Sequence, residues 1–393
     1  MGNATCSEAK SRNQEIKEQK NKINLLEQKI KEQENKINEL IELNRIEREK
    51  NEKMKEKRKE IDFKENQFKN EVKNLEESKI NFINIDGASC YQSSTLQGFV
   101  HVIYPIAIKK SNKERERKGE NKIINLDELK NDNILNNIII DILKEINNKE
   151  NQKRTYNNKG DKRFRASDLF NKFPPEHGKH QGLLNEYDCN KLHENLFNGV
   201  TSNNIKDDSA KIIEIKKINF ITEILKIKIE GNIYYHGNIV LKLNENDLND
   251  NNLNIFKLLK NCPQLKKDSY SHKKITDISE VIYIIIDRIN NNKTISKKFI
   301  INEKIYFDKN EKNFKEYCSV NYSLYELKFV IYHSSNSLSS GHYVAYEKIN
   351  GEWFNFNDMH SDYAIKEKPP LDDFNENSNF PVIIYYVLDE NNI

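Results

Sequence analysis

Residues 86–97 read DGASCYQSSTLQ. Gly87 permits a tight turn, and the run that begins at Cys90 has the composition of a helix. A thiol at the start of a helix faces unpaired N–H groups and the positive end of the dipole, which favours thiolate and makes a nucleophile. Taken alone, a cysteine beside Tyr91 and ahead of Leu96 reads more readily as a small buried hydrophobe. A second stretch, SSNSLSSGHYVAYEKINGEWFNFNDMHSDY at 334–363, bears on the choice. Its Ser-rich loop ends at Gly341 and His342, an alternating strand follows, and a second short strand leads to Asn357 and Asp358. Such a hairpin brings Asn357 or Asp358 against one ring nitrogen of His342 and leaves the other nitrogen to take a thiol proton. Cys, His, then Asn or Asp is an order suited to acyl transfer on sulfur.

The rest of the composition narrows the setting. The 393 residues carry 64 Lys and Arg against 61 Asp and Glu, a net charge of +3, which sets aside a strongly basic nucleic-acid binder. Only 36% of residues are hydrophobic, so apolar positions must be concentrated in part of the chain. The cysteines Cys6, Cys90, Cys189, Cys262 and Cys318 are odd in number, widely spaced and form no C-x-x-C pair. That points away from a disulfide framework and a Cys-based zinc site, and toward a reducing, cytoplasmic compartment. Neither a signal peptide nor an uninterrupted membrane-spanning run is present in the sequence. Gly2 meets the chemical requirement for N-myristoylation, although Cys6 stands where Ser or Thr is preferred. A palmitate on Cys6 would supply the second anchor for stable attachment, so a plain soluble N-terminus and a peripheral membrane tether both stay open.

Residues 1–79 read as a polar helix, since positions 15–79 lack Pro and Gly. Ile23, Ile30 and Ile37 recur every seven residues with Leu26 and Leu40 between them, as the a and d seam of a coiled coil requires. Gln33 interrupts the d row, and beyond Leu40 the register passes through Asn44, Glu47 and Asn51 before Met54. This predicts weak self-association through 23–54 or a packing arm, with a solvated single helix as the alternative. From Ile80 onward β-branched and aromatic clusters announce a large α+β domain spanning 80–393. Its expected strands are KIIEIKKINF, NIYYHGNIVLKL, EVIYIIIDRI, KFIINEKIYF, YELKFVIYH, HYVAYEKI, EWFNF and PVIIYYVL, while STLQGFVHVI and LNEYDCNKLHENLF read as helices.

These residues resemble the ubiquitin-specific cysteine proteases of the papain-like superfamily. CYQSSTLQ at 90–97 is similar to that family's cysteine box, and KFVIYHSSNSLSSGHYVAY followed by EWFNFND is similar to its histidine box. EVIYIIIDRI and PVIIYYVL resemble two of its strands, and LNEYDCNKLHENLF more loosely resembles a helix of its glutamine/aspartate box. The resemblance covers roughly 80–390 and implies a thumb, palm and fingers architecture. It assigns Cys90 as nucleophile, His342 as general base, Asn357 as its orienting partner and Asp358 as a further polar support. Tyr343 and Gly341 fall beside the narrow channel that accepts a Gly-Gly tail. The implied reaction is hydrolysis after the C-terminal Gly-Gly of ubiquitin, with ubiquitin or a related modifier as partner and with no cofactor or metal.

Several positions depart from the family pattern. Ile85 stands five residues before Cys90, where the family carries an oxyanion-stabilising Asn, and Ser93 replaces a common Asn. Loss of one such donor costs about 3 kcal/mol. Backbone N–H groups near Cys90, or Asn84 or Gln92, would have to substitute in an active enzyme. The alternatives are a weak or inactive ubiquitin-binding scaffold and a protease for another ubiquitin-like modifier. The paired zinc knuckles of the fingers are missing from the sequence, so that region, around 205–275, is expected to be reduced and held by packing.

Overall fold

The structure is a computed structural model, and it describes residues 4–82, 90–119, 126, 134–153 and most of 224–389. Packing divides the chain into two compact units, Met1–Asn66 and Gln67–Ile393. The first is carried by α1, Ala4–Glu77, whose freedom from Pro and Gly lets the intrahelical ladder run unbroken. The last turns of α1 belong to the second unit, where Val72 and Leu75 are buried in the core. The helix stops at Glu77, two residues before the sequence boundary at residue 79. The second unit begins earlier, at Gln67, because those apolar side chains pack into it.

A helical run from Cys90 to Arg117 follows, made of α2 (Cys90–Gly98), a π turn (Phe99–Ile103) and α3 (Tyr104–Arg117). The π turn has a local cause. Pro105 has no N–H to give the carbonyl four residues back, and its ring would collide with that carbonyl, so the chain widens. The Tyr104 N–H bonds the Phe99 carbonyl, five residues back. Next, α4 (Ile134–Lys153) is a helix absent from the elements expected above; it buries Ile139, Ile140, Ile142, Leu143 and Ile146 in the same core.

The strands, in chain order, are β1 (Ile227–Ile229), β2 (Asn232–Tyr234), β3 (Asn238–Lys242), β4 (Ile275–Ile278), β5 (Val281–Asp287), β6 (Ile289–Asn290) and β7 (Lys293–Thr294). There follow β8 (Lys304–Phe307), β9 (Ser323–Ser334), β10 (His342–Ile349), β11 (Glu352–Phe356), β12 (Ile365–Lys366) and β13 (Asn379–Leu388). The main sheet runs β12-β11-β10-β9-β13-β5-β3, with β8 also paired to β9, and only β3 and β5 are parallel. A small sheet, β2-β1-β4, and the β6–β7 hairpin complete the set. KIIEIKKINF and LNEYDCNKLHENLF lie outside the described residues, as does the part of the fingers region before residue 224.

The main sheet is covered on both faces, which explains why its central strands are continuous apolar runs rather than alternating ones. On β5, Val281, Tyr283 and Ile285 face the helices, while Ile282, Ile284 and Ile286 face the small sheet and short helices on the other side. On β10, Tyr343 and Ala345 take the helical face and Val344 and Tyr346 the opposite one. Each such aliphatic side chain contributes about 1.5–3 kcal/mol on burial.

Two contacts seat the helical run on this sheet. At Gly98 an added Cβ would lie 2.7 Å from the Tyr385 ring and 2.8 Å from the Phe329 ring, two rings that stack on each other with centroids 5.1 Å apart. The second contact is polar: His101, in the π turn, places Nδ1 3.4 Å from Glu347 on β10. Distance alone would suggest an ion pair. Burial opposes both charges, pushing the Glu347 carboxyl well above its usual range and the His101 imidazole down to about 3, so the pair is a neutral acid beside a neutral ring.

Gly98→Ala should therefore lower stability by about 1–3 kcal/mol in a denaturant titration, against the gain that a helical Gly→Ala change otherwise brings; a gain would contradict the close approach. The buried pair gives a second expectation. Folded, it holds one proton, on Glu347. Unfolded, between the ordinary values of 4.5 and 6.5, it also holds one, on the histidine, so its contribution is level there. Below that window the unfolded chain binds an extra proton and stability falls as pH falls; above it the unfolded chain binds none and stability falls as pH rises toward the folded value of Glu347. Glu347→Gln removes the alkaline limb. Its unfolding free energy should hold level above pH 6.5 while the parent loses up to about 1.4 kcal/mol per pH unit from this group. Parallel profiles would mean that Glu347 is ionised in the fold.

Candidate active site

β10 opens at His342, directly after Gly341, whose φ of +155° is a setting that side-chain-bearing residues rarely adopt. The strand start is held from β9, where the Ser334 hydroxyl donates to the His342 carbonyl at 3.2 Å. On the other side a tight turn with positive φ at Asn350 and Gly351 returns the chain as β11, setting Ala345 opposite Phe356. This register carries Asn357 alongside His342, with Nε2 to Oδ1 at 3.0 Å.

The hydrogen bonds around Asn357 fix the histidine tautomer. Its Oδ1 also accepts the Met359 backbone N–H at 3.1 Å, which identifies that atom as the amide oxygen. His342 Nε2 is then the donor, and in the neutral ring Nδ1 keeps a lone pair free for a proton. Asp358, with its side chain 2% exposed, has Oδ1 3.6 Å from Nε2. That is too far for a good hydrogen bond.

The helix headed by Cys90 is tied to the same corner. α2 packs against β10, and Cys90 is buried in the core on the helical side. Gln97, on α2, donates at 3.3 Å to the Ile80 carbonyl and to Asn81 Oδ1, and Asn81 in turn donates to the Asn357 carbonyl at 2.7 Å. Residues 79–80 are pinned to the far edge, where the Lys79 carbonyl accepts the Ala364 N–H and Ile80 bridges Tyr363. A buried histidine, His333, lies behind the site with its ring 4.5 Å from Tyr343. Burial above all, then the Arg288 charge, holds it down to about 4, so it is neutral.

Of the residues singled out in the sequence, the structure brings His342, Asn357 and Asp358 together and sets the helix of Cys90 against β10, the strand that His342 opens. Gly341 is exposed at the strand mouth. Tyr343 is 1% exposed and turned toward the core, backing the site wall. Asn84 and Ile85, the side chain of Gln92, Gly2 and the side chain of Cys6 lie outside the described residues. Two other cysteines are structural in character: burial raises the Cys262 thiol to about 11 and also raises Cys318. The positioning links through Asn81 and Gln97 were not read from the sequence; the available sign was that Gln97 follows Cys90 by two helical turns and so shares its face.

This fold is of the papain-like cysteine-protease type. A family profile described as ubiquitin carboxyl-terminal hydrolase matches residues 80–380, and the chain belongs to that family. Among solved structures, a SAGA DUB module of Ubp8, Sgf11, Sus1 and Sgf73 aligns at 16% identity and a TM-score of 0.51, covering 81% of this chain and 69% of that chain. A second structure of the Ubp8-Sgf11-Sgf73-Sus1 module aligns at 16% identity and 0.49, over 81% and 69%. One of the module bound to monoubiquitin aligns at 16% and 0.44, over 81% and 70%. No curated protein sequence matches the chain.

The tautomer is directly measurable. Imidazole ¹⁵N shifts should show His342 predominantly protonated at Nε2, and Asn357→Ala should move the ratio toward Nδ1–H by about fivefold, the equivalent of one lost hydrogen bond of about 1 kcal/mol. A parent histidine already protonated at Nδ1 would invert the geometry just described.

Proposed function

We propose that the chain is a thiol-dependent deubiquitinase, hydrolysing isopeptide or peptide bonds after the C-terminal Gly-Gly of ubiquitin. Family membership supports the reaction class. The observation that carries the assignment of roles is the His342–Asn357 contact at the head of the strand on which the Cys90 helix packs.

In this reading His342 Nδ1 takes the Cys90 proton, and the sulfur attacks the carbonyl carbon of the terminal glycine. The tetrahedral oxyanion collapses as the C–N bond breaks, and the departing lysine amine takes the proton from His342. A water molecule then gives a proton to His342 and adds to the thioester. The Cys90 sulfur leaves and takes the proton back from His342, and the terminal carboxyl group is released, losing its own proton to solvent. Asn357 keeps the ring in the Nε2–H form, and Asp358 offsets the positive charge of the transient imidazolium. For the oxyanion, N–H groups at the start of α2 are the donors common to this geometry, with Asn84 or Gln92 as side-chain donors in place of the Asn that Ile85 replaces.

The test is labelling by ubiquitin carrying a C-terminal electrophile. The intact chain should be modified and Cys90→Ala should not, while removing whichever of Asn84 or Gln92 supplies the donor should slow labelling by about 100-fold. No labelling by ubiquitin, with labelling by a related modifier, would reassign the substrate. Ubiquitin binding without any labelling would make the chain an inactive ubiquitin-binding member.

A further inference from the structure

Helix α1 carries a row of exposed apolar side chains. Ile16, Ile23, Ile30 and Ile37 occupy successive a positions, Leu26 and Leu40 d positions, and each is more than half exposed. On the flanks of that seam the charges follow a rule. The first three g positions are Glu15, Lys22 and Lys29, and the e positions five residues further on are Lys20, Glu27 and Glu34; the fourth, Lys36, would meet the apolar Ile41. Each of the first three g residues is thus opposite in sign to the e residue it would meet on a parallel partner.

Among the described residues, Arg45 is held by Glu42 and Glu49 at 2.6 Å each and Lys64 by Glu60 at 2.6 Å, but none of the six g and e residues forms an ion pair inside its own helix. In an antiparallel pair centred on this segment, g would meet g, setting Lys22, Lys29 and Lys36 against one another. β-Branched residues at a with leucine at d favour two strands, and Asn44 and Asn51 at the following a positions are the polar kind that dimers tolerate.

We propose that the occupant of the seam is a second copy of this chain, aligned parallel and in register over residues 15–40 as a two-stranded coiled coil. The inference goes beyond weak self-association by fixing stoichiometry, direction and register, and it is independent of the catalytic reading.

The test uses the full chain at tens of micromolar. Sedimentation equilibrium should return twice the monomer mass, and Ile30→Asp should return the monomer mass. Every Tyr and Trp lies beyond residue 66, so an unchanged near-ultraviolet circular dichroism spectrum will show that the second unit is intact. The paired charge reversals Glu27→Lys with Glu34→Lys, and Lys22→Glu with Lys29→Glu, should each weaken self-association by about tenfold or more, and mixing the two proteins should restore the dimer. With Cys6→Ser as the background, Leu40→Cys should form an oxidised dimer that the background lacks, because a parallel, in-register pair sets position 40 against itself. A monomeric or trimeric parent, no rescue on mixing, or no added crosslink at position 40 would overturn the proposal.

Discussion

The close approach of Gly98 to the Tyr385 and Phe329 rings governs how the helical run lies on the main sheet. A side chain there would push α2 away from β9 and β13, and the cysteine that heads the helix would move with it. Because interiors are close-packed, a displacement of a few tenths of an ångström at Gly98 is transmitted rather than absorbed. The π turn just beyond serves the same seat. Pro105 forces the helix to widen, and the widened turn delivers His101 to Glu347 on the strand that begins at His342.

Polar groups in this interface are matched to one another across separate elements. Gln97, Asn81 and the Asn357 carbonyl form a chain from helix to loop, and Asn357 passes the constraint to the histidine ring. Each member is short and sits in a rigid setting, so the ring has one orientation before any substrate arrives. Glu347, His101 and His333, groups that carry or can carry charge in water, are held neutral by burial.

The two units use their apolar residues in opposite ways. In the second unit the strands bury both faces, and even the last turns of α1 contribute Val72 and Leu75. Along residues 15–40 the helix keeps its isoleucines and leucines in water with complementary charges beside them. A lone helix of this kind has little to hold it beyond its own hydrogen bonds and a few ion pairs, whereas a parallel pair would bury the seam.

Much of this was legible in the chain itself. The long helix, the strands HYVAYEKI and EWFNF to the residue, the two-face strands around EVIYIIIDRI and PVIIYYVL, and the His342–Asn357 pairing follow from local periodicity and from the short turn that joins β10 to β11. In such a hairpin the register is fixed by sequence-adjacent residues. Helix α4 was not legible, because its apolar residues are interrupted by asparagines and its helical state is chosen by the core it covers. Nor were the start of the second unit inside α1, the neutral His101–Glu347 pair, or the Gln97–Asn81–Asn357 link. Each of these joins residues far apart in the chain, and what a buried polar group does depends on which partners the fold brings within hydrogen-bond reach. The sequence determined the elements and the order of the reactive side chains; the tertiary structure decided the tautomer, the charge states and the seating of the helix, because those are properties of distances between segments that local composition does not encode.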